Sequence, residues 1–173
     1  MIHNIVVHLS SDNFDLKMQC SSAIFKCASD KIARDIVREA GGLESLVAII
    51  KDKSIRENKA LLAAATGAIW KCAETPANVK RLDQLKIMHI LVQLLSDEND
   101  DVLTNAAGAI SECVKFQNNR DILRQIGGLA LLVNLLNGTY PPMLENITKA
   151  LTECENDGES MTAMEELDAI RLT

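Results

Sequence analysis

The chain has 173 residues, 47% of them hydrophobic and 24% charged, enough for a packed core without disulfides or a structural metal and unlike a disordered segment. Lys and Arg number 18 against 24 Asp and Glu, a net charge of −6, and the only aromatics are Phe14, Phe25, Trp70, Phe116 and Tyr140. That balance excludes a phosphate-neutralising, base-stacking nucleic-acid surface and disfavours direct attachment to a naked microtubule or an anionic membrane.

The first apolar helix phrase ends at Leu9, and a longer helix carries Ala23-Ile-Phe-Lys-Cys27. The opening Met1-Ile-His-Asn-Ile-Val-Val lacks a basic n-region and a small-residue cleavage site, so no signal peptide is expected. Lys31 to Ala40 reads as a short helix, broken tightly by Gly41-Gly42 before the apolar phrase Leu43 to Ile50. After the polar stretch Lys51 to Lys59, a long helix over about Glu57 to Ala73 places small residues (Ala63, Ala64, Ala65, Gly67, Ala68) where helices must approach closely. Thr75-Pro76 has the form of an N-cap followed by Pro at the first helical position. A second apolar phrase, Met88 to Leu95, then leads through acidic Asp97–Asp101 to Ala109-Ile-Ser-Glu-Cys113. The next short helix begins near Asn119, and Gly127-Gly128 breaks it before Leu129 to Leu136. Tyr140-Pro141-Pro142 opens the last long helix, which carries Ala150-Leu-Thr-Glu-Cys154. Asp168 to Thr173 aligns with Gly127 to Leu132, the opening of a further helix. No apolar run, such as Leu129 to Val133, approaches a membrane span.

Cys27, Cys72, Cys113 and Cys154 are spaced 45, 41 and 41 apart, and equal spacing is the mark of a repeat. From the end of each apolar phrase to the Ala of the cysteine phrase the distance is 14 in three units and 18 between Ile50 and Ala68. One unit therefore carries four extra residues. Three helices per unit, a period near 41 and a Gly-Gly kink form the armadillo pattern; a HEAT array would have two helices and no Gly-Gly. The expected fold is all-α, an armadillo-repeat right-handed solenoid forming a single array. It divides into a partial repeat 1–28, full repeats 29–73, 74–114 and 115–155, and a partial repeat 156–173. Ile2, Ile5, Val6 and Leu9 are not a polar capping face, so contact with further armadillo repeats is expected at both ends.

Little in the chain suggests catalysis or metal binding. The five cysteines, Cys20 included, are odd in number and form no Cys-x-x-Cys pair, which reads as reduced, small buried hydrophobes rather than disulfides, zinc ligands or nucleophiles. His3 and His8 are five apart, off a common helical face, and His89 stands alone. Asp97-Glu-Asn-Asp-Asp101 starts like a calcium loop, but Val102 replaces its glycine and Gly108 its closing Glu. No cofactor and no enzyme activity are expected.

The third helices of an armadillo array line its concave face. In nuclear-import adaptors and β-catenin such helices carry a Trp that forms pockets for Lys stems and an Asn that holds an extended peptide. Here the Trp position holds Ser22, Gly67, Gly108 and Lys149, and the Asn position holds Lys26, Lys71, Glu112 and Glu153. A basic nuclear-localisation peptide should find no site. The same positions are either merely solvated or form a ladder of two Lys and then two Glu. Phe25 and Trp70, with Ser111 and Thr152 at the equivalent places, are either exposed anchors or wedges within the core. The stretch Lys51 to Lys59 is a second candidate edge.

The phrases Glu39-Ala-Gly-Gly-Leu-Glu-Ser-Leu-Val-Ala-Ile-Ile-Lys-Asp52, Arg56-Glu-Asn-Lys59 and Leu61-Leu-Ala-Ala-Ala-Thr-Gly-Ala-Ile-Trp-Lys-Cys-Ala73 resemble the armadillo subunits of the outer dynein arm docking complex. Leu95 to Asn105 and Gly127 to Leu136 are similar too. The resemblance implies a non-catalytic scaffold of the cytoplasm and the axoneme of motile cilia. Its implied partners are docking-complex coiled coils and dynein arm components. The alternative is a general peptide-binding armadillo adaptor in cytosolic signalling or transport.

Overall fold

The computed structural model describes residues 1–97 and 99–171, and every regular element among them is helical. In chain order these are α1 (Ile2–His8), α2 (Phe14–Cys27), α3 (Lys31–Glu39), α4 (Gly42–Lys51), a 3₁₀ turn (Lys53–Ile55), α5 (Lys59–Cys72), α6 (Pro76–Gln84), α7 (Ile87–Leu94), α8 (Asp100–Cys113), α9 (Gln117–Gln125), α10 (Gly128–Leu135), α11 (Pro141–Cys154) and α12 (Gly158–Arg171). The contacts gather into two units, Met1–Ile90 and the residues from Leu91 onward.

Each long third helix starts on a local signal. Asn13, Asn58 and Asn99 accept backbone N–H groups of α2, α5 and α8 through their side chains, and Pro141 opens α11. These devices satisfy or remove donors that a helix start leaves orphaned. All four third helices come out at 14 residues and end on the repeat's cysteine.

Left-handed residues make the kink before each second helix. Gly41 has φ 79° and Gly127 has φ 75°, as the Gly-Gly pairs predict. The middle repeat has no glycine there, yet Lys86 takes φ 61° and makes the same turn. The backbone N–H groups of Gly41, Lys86 and Gly127 donate to Arg38, Asp83 and Arg124 at 3.0–3.2 Å. The second glycine of each pair serves a different purpose. A Cβ at Gly42 would lie 2.9 Å from the Val37 carbonyl oxygen and 3.0 Å from Val6, and one at Gly128 would strike Leu123.

The four extra residues of the first full repeat divide evenly. α4 spans ten residues where α7 and α10 span eight. The connection to the third helix runs over 52–58, seven residues, where 95–99 and 136–140 are five. The longer connection is pinned, because Ile55 is only 1% exposed and Asp52 caps the 3₁₀ turn by accepting the Ser54 N–H at 2.9 Å.

In the first unit α2 packs along α5, α4 backs α5, and α3 meets α6. In the second unit α8 packs along α11 while α9 and α10 meet α12. Leu43, Leu46, Ile50, Leu61, Leu62 and Ile69 are fully buried in the first unit. Val102, Ile110, Leu123, Leu132 and Ile147 play that part in the second. Burying each such side chain contributes roughly 1.5–3 kcal/mol before entropy is charged against it.

One boundary differs from expectation. α12 runs unbroken through Asp168 to Arg171, so no new helix opens at Asp168; Asp168 and Ala169 stand where Gly127 and Gly128 break the earlier repeat. The start of α9 also falls at Gln117, two residues before Asn119. Glu98, in the acidic run, and Leu172 and Thr173, at the end of the last expected helix, lie outside the described residues.

Candidate protein-binding surface

The third helices hold the twelve residues singled out by the repeat alignment. In the first unit, Phe25 of α2 and Trp70 of α5 sit at equivalent positions of neighbouring helices, both half-buried. Their ring centroids are 6.5 Å apart at a 55° tilt, a favoured aromatic geometry. The sequence left anchor and core wedge open. The pair is partly each, packed ring on ring with one side still reached by solvent.

Lys26 and Lys71 follow these rings but differ from one another. Lys26 is exposed. Lys71 lies over the Trp70 ring at 4.8 Å and pairs with Glu74 at 2.9 Å, so most of its charge is answered locally. The other oxygen of Glu74 accepts from Arg34 at 3.1 Å. Arg34 also donates to Thr75 Oγ1 at 2.7 Å and to the Ala28 carbonyl at 2.8 Å. This network fixes the end of α5 against α3. Ser22 of α2 is half-buried, and Gly67 is buried within α5.

In the second unit the charges are swapped. Glu112 pairs with Lys115 at 2.5 Å, three residues on, at the positions where the preceding repeat has Lys71 and Glu74. Gly108 and Ser111 are buried, and the Ser111 hydroxyl donates to the Gly108 carbonyl at 2.7 Å. Lys149 and Thr152 are exposed and Glu153 is half-buried. Lys149 pairs with Glu145 at 2.7 Å, and that hydrogen bond holds the Glu145 carboxyl below its ordinary value. The charge ladder expected from Lys26, Lys71, Glu112 and Glu153 is thus muted at its two middle members. The partners responsible, Glu74 and Lys115, went unnoticed in the sequence, though each stands three residues after a singled-out position.

The thiols are sealed. Cys72, Cys113 and Cys154 are fully buried, Cys20 nearly so, and Cys27 half-buried, and none forms a disulfide. Burial pushes the Cys72 thiol up to about 12 and the Cys154 thiol to about 11, the opposite of what a nucleophile needs. No group of His, Cys, Asp and Glu able to hold a metal occurs among the described residues. Among them, too, no helix is long and apolar enough to cross a membrane. What the third-helix surface offers is shape, two aromatic rings and a few charges, the makings of a protein-binding face.

Residues 75–115, the middle repeat, match the family described as Armadillo/beta-catenin-like repeat. A designed armadillo repeat protein has the same fold at a TM-score of 0.87 and 23% identity, over 98% of this chain and 71% of the other. The chain has the armadillo-repeat fold. A second designed armadillo protein, solved in complex with the peptide (KR)4, matches at a TM-score of 0.84 and 22% identity, over 96% of this chain and 70% of the other. Among curated proteins, the chain is 66% identical over 98 residues to the armadillo repeat-containing protein gudu of Drosophila melanogaster. It is 42% identical over 98 residues to the outer dynein arm-docking complex subunit 2 of Bos taurus. Each alignment takes in 57% of this chain, but only 15% of the fly protein and 9% of the bovine one.

Proposed function

We propose that this armadillo chain is a non-catalytic scaffold that binds helical protein segments through its third-helix surface, acting in the attachment of outer dynein arms to axonemal doublets of motile cilia. The likeness to a docking-complex subunit supports the setting, with docking-complex coiled coils and dynein arm components as partners. The observation that carries the binding face is the Phe25–Trp70 pair, two rings on neighbouring third helices with exposed Lys26 beside them. Aromatic anchors of this kind dominate interface energetics when a partner completes their burial. The acidic balance of the chain, −6, points to protein partners rather than nucleic acid, membrane or bare tubulin.

The test is the association of the chain with a docking-complex coiled coil, comparing wild type with Trp70→Leu and Lys26→Glu, with helicity checked in each. Trp70→Leu should weaken binding about tenfold or more, and Lys26→Glu should act mainly on the association rate and its salt dependence. A basic peptide of the nuclear-localisation type should bind no better than its scrambled form. Unchanged binding by both folded variants would move the interface elsewhere, and sequence-specific capture of the basic peptide would favour a transport adaptor.

A further inference from the structure

Trp70 is the one tryptophan of the chain, and its ring carries the protein's own cation. Lys71 Nζ stands 4.8 Å from the indole centroid, within the range at which an aromatic face holds an ammonium. Glu74, one turn on, keeps it there at 2.9 Å. The cluster lies in a complete repeat, with a third helix packed before it (α2) and further repeats following in the chain.

Glu74 holds two cations unequally. Its Oε2 accepts from Arg34 at 3.1 Å and its Oε1 from Lys71 at 2.9 Å. The Arg34 side chain is 12% exposed and is fixed from other sides, donating to Thr75 Oγ1 and to the carbonyls of Ala28 and Ser29. The Lys71 side chain is 29% exposed and has Glu74 as its one ion-pair partner among the described residues. Lys71 can therefore leave without orphaning Glu74, whereas Arg34 cannot leave without stripping the turn between α2 and α3 of its donors. The latch is particular to this repeat. In α2 the equivalent Lys26 is followed three residues later by Ser29 instead of an acid. At the spacing that shares a face with Trp70 and Lys71, α5 carries only Ala60, Ala63, Ala64 and Gly67. A partner helix approaching α5 thus meets bulk first at Trp70 and Lys71.

We propose that Lys71 is an exchangeable latch over Trp70, and that the site selects a partner helix bearing a carboxylate one turn from a large apolar side chain. This inference rests on the third-helix binding face and names the chemistry of its partner. The partner's Glu or Asp takes Lys71 from Glu74, the amine swings off the indole, and the apolar side chain packs there against Trp70 and Phe25. Glu74 stays paired with Arg34, so the exchange leaves no carboxylate bare. A lysine in place of the partner's acid would meet Lys71 as a like charge, and that repulsion excludes basic segments.

The probes are three labelled helical peptides of about 18 residues, about five turns. They share a Leu stripe and differ at one position, four residues from the central Leu, which holds Glu, Gln or Lys. The wild-type chain should bind the Glu peptide about fivefold more tightly than the Gln peptide and the Lys peptide least, with Trp70 emission moving to the blue as the indole is covered. Glu74→Gln keeps the side chain's shape but loosens its hold on Lys71, and should tighten the Glu peptide about threefold. Lys71→Met should bind the Glu and Gln peptides alike. Trp70→Leu should weaken all three peptides; if it does not, the third-helix reading fails and the latch with it. If Trp70→Leu does weaken them, three results would overturn the latch and leave the binding face standing. These are a wild type that treats the three peptides alike, a folded Lys71→Met that still prefers Glu, and a folded Glu74→Gln with unchanged affinity. An unmoved Trp70 emission with every peptide at about 1 mM would overturn both readings.

Discussion

Lys86 occupies a backbone conformation that the repeats on either side give to glycine, and replacing it should stabilise the protein. Its φ of 61° matches the 79° and 75° of Gly41 and Gly127. A side chain in the left-handed region costs about 1–2 kcal/mol, whereas glycine there costs only its greater unfolded-state freedom, about 0.5–1 kcal/mol. Lys86 is exposed, so its removal leaves no cavity. Lys86→Gly is therefore expected to gain about 0.5–1 kcal/mol, a rise of roughly 1–3 °C in Tm for a chain of this size. The converse variant is equally well defined. A Cβ at Gly127 meets nothing within 4 Å, so Gly127→Lys should lose about the same amount by backbone strain alone. Urea unfolding followed by far-UV circular dichroism measures both, with the change read in the midpoint at constant slope. A destabilised Lys86→Gly, or a Gly127→Lys as stable as wild type, would refute the reasoning that backbone conformation governs these turns.

Gly42→Ala, by contrast, should fail by collision. Its new methyl would meet the Val37 carbonyl at 2.9 Å, backbone that cannot turn aside, and the expected loss is about 1–3 kcal/mol in the same unfolding assay. Alkylation of the native protein should modify Cys27 first and spare Cys72, Cys113 and Cys154 until the chain unfolds, as mass spectrometry of a time course will read. Raised thiol values also set an alkaline limit. Cys72 stays neutral when folded up to about 12, against 9.0 for its ordinary value, so unfolding releases its proton above pH 9. Stability should be level in this respect below pH 9 and fall between pH 9 and about 12, and Cys72→Ala should flatten that fall.

The repeat was legible because its signals are local. Glycine pairs, the Thr75-Pro76 start, the Pro pair before α11 and the recurring cysteine each act within a few residues of where they stand, and the structure follows them. Lys86 escaped notice because nothing in a lysine announces a positive φ; only alignment with Gly41 and Gly127 exposes the demand. The insertion was counted correctly, but its division between α4 and the 3₁₀ turn depends on Ile55 finding a buried place, a tertiary event. At the third-helix surface, positions were readable and electrical state was not. Lys71 and Glu112 are charged in the sequence and largely answered in the fold, by Glu74 and Lys115. The Arg34 and Arg124 networks reach residues 33 to 41 positions away, beyond the range of local pattern.

The pinned connection between α4 and α5 also has a mechanical consequence. Under tension an ordinary loop pays out first, by up to about 3.5 Å for each residue that straightens. The seven residues 52–58 cannot yield in that way until Ile55 is withdrawn from its place, 1% exposed, at a cost of roughly 1.5–3 kcal/mol. The longest link between a second and a third helix is consequently held taut rather than slack, and a pull along the chain reaches the helices of this repeat with little give in between.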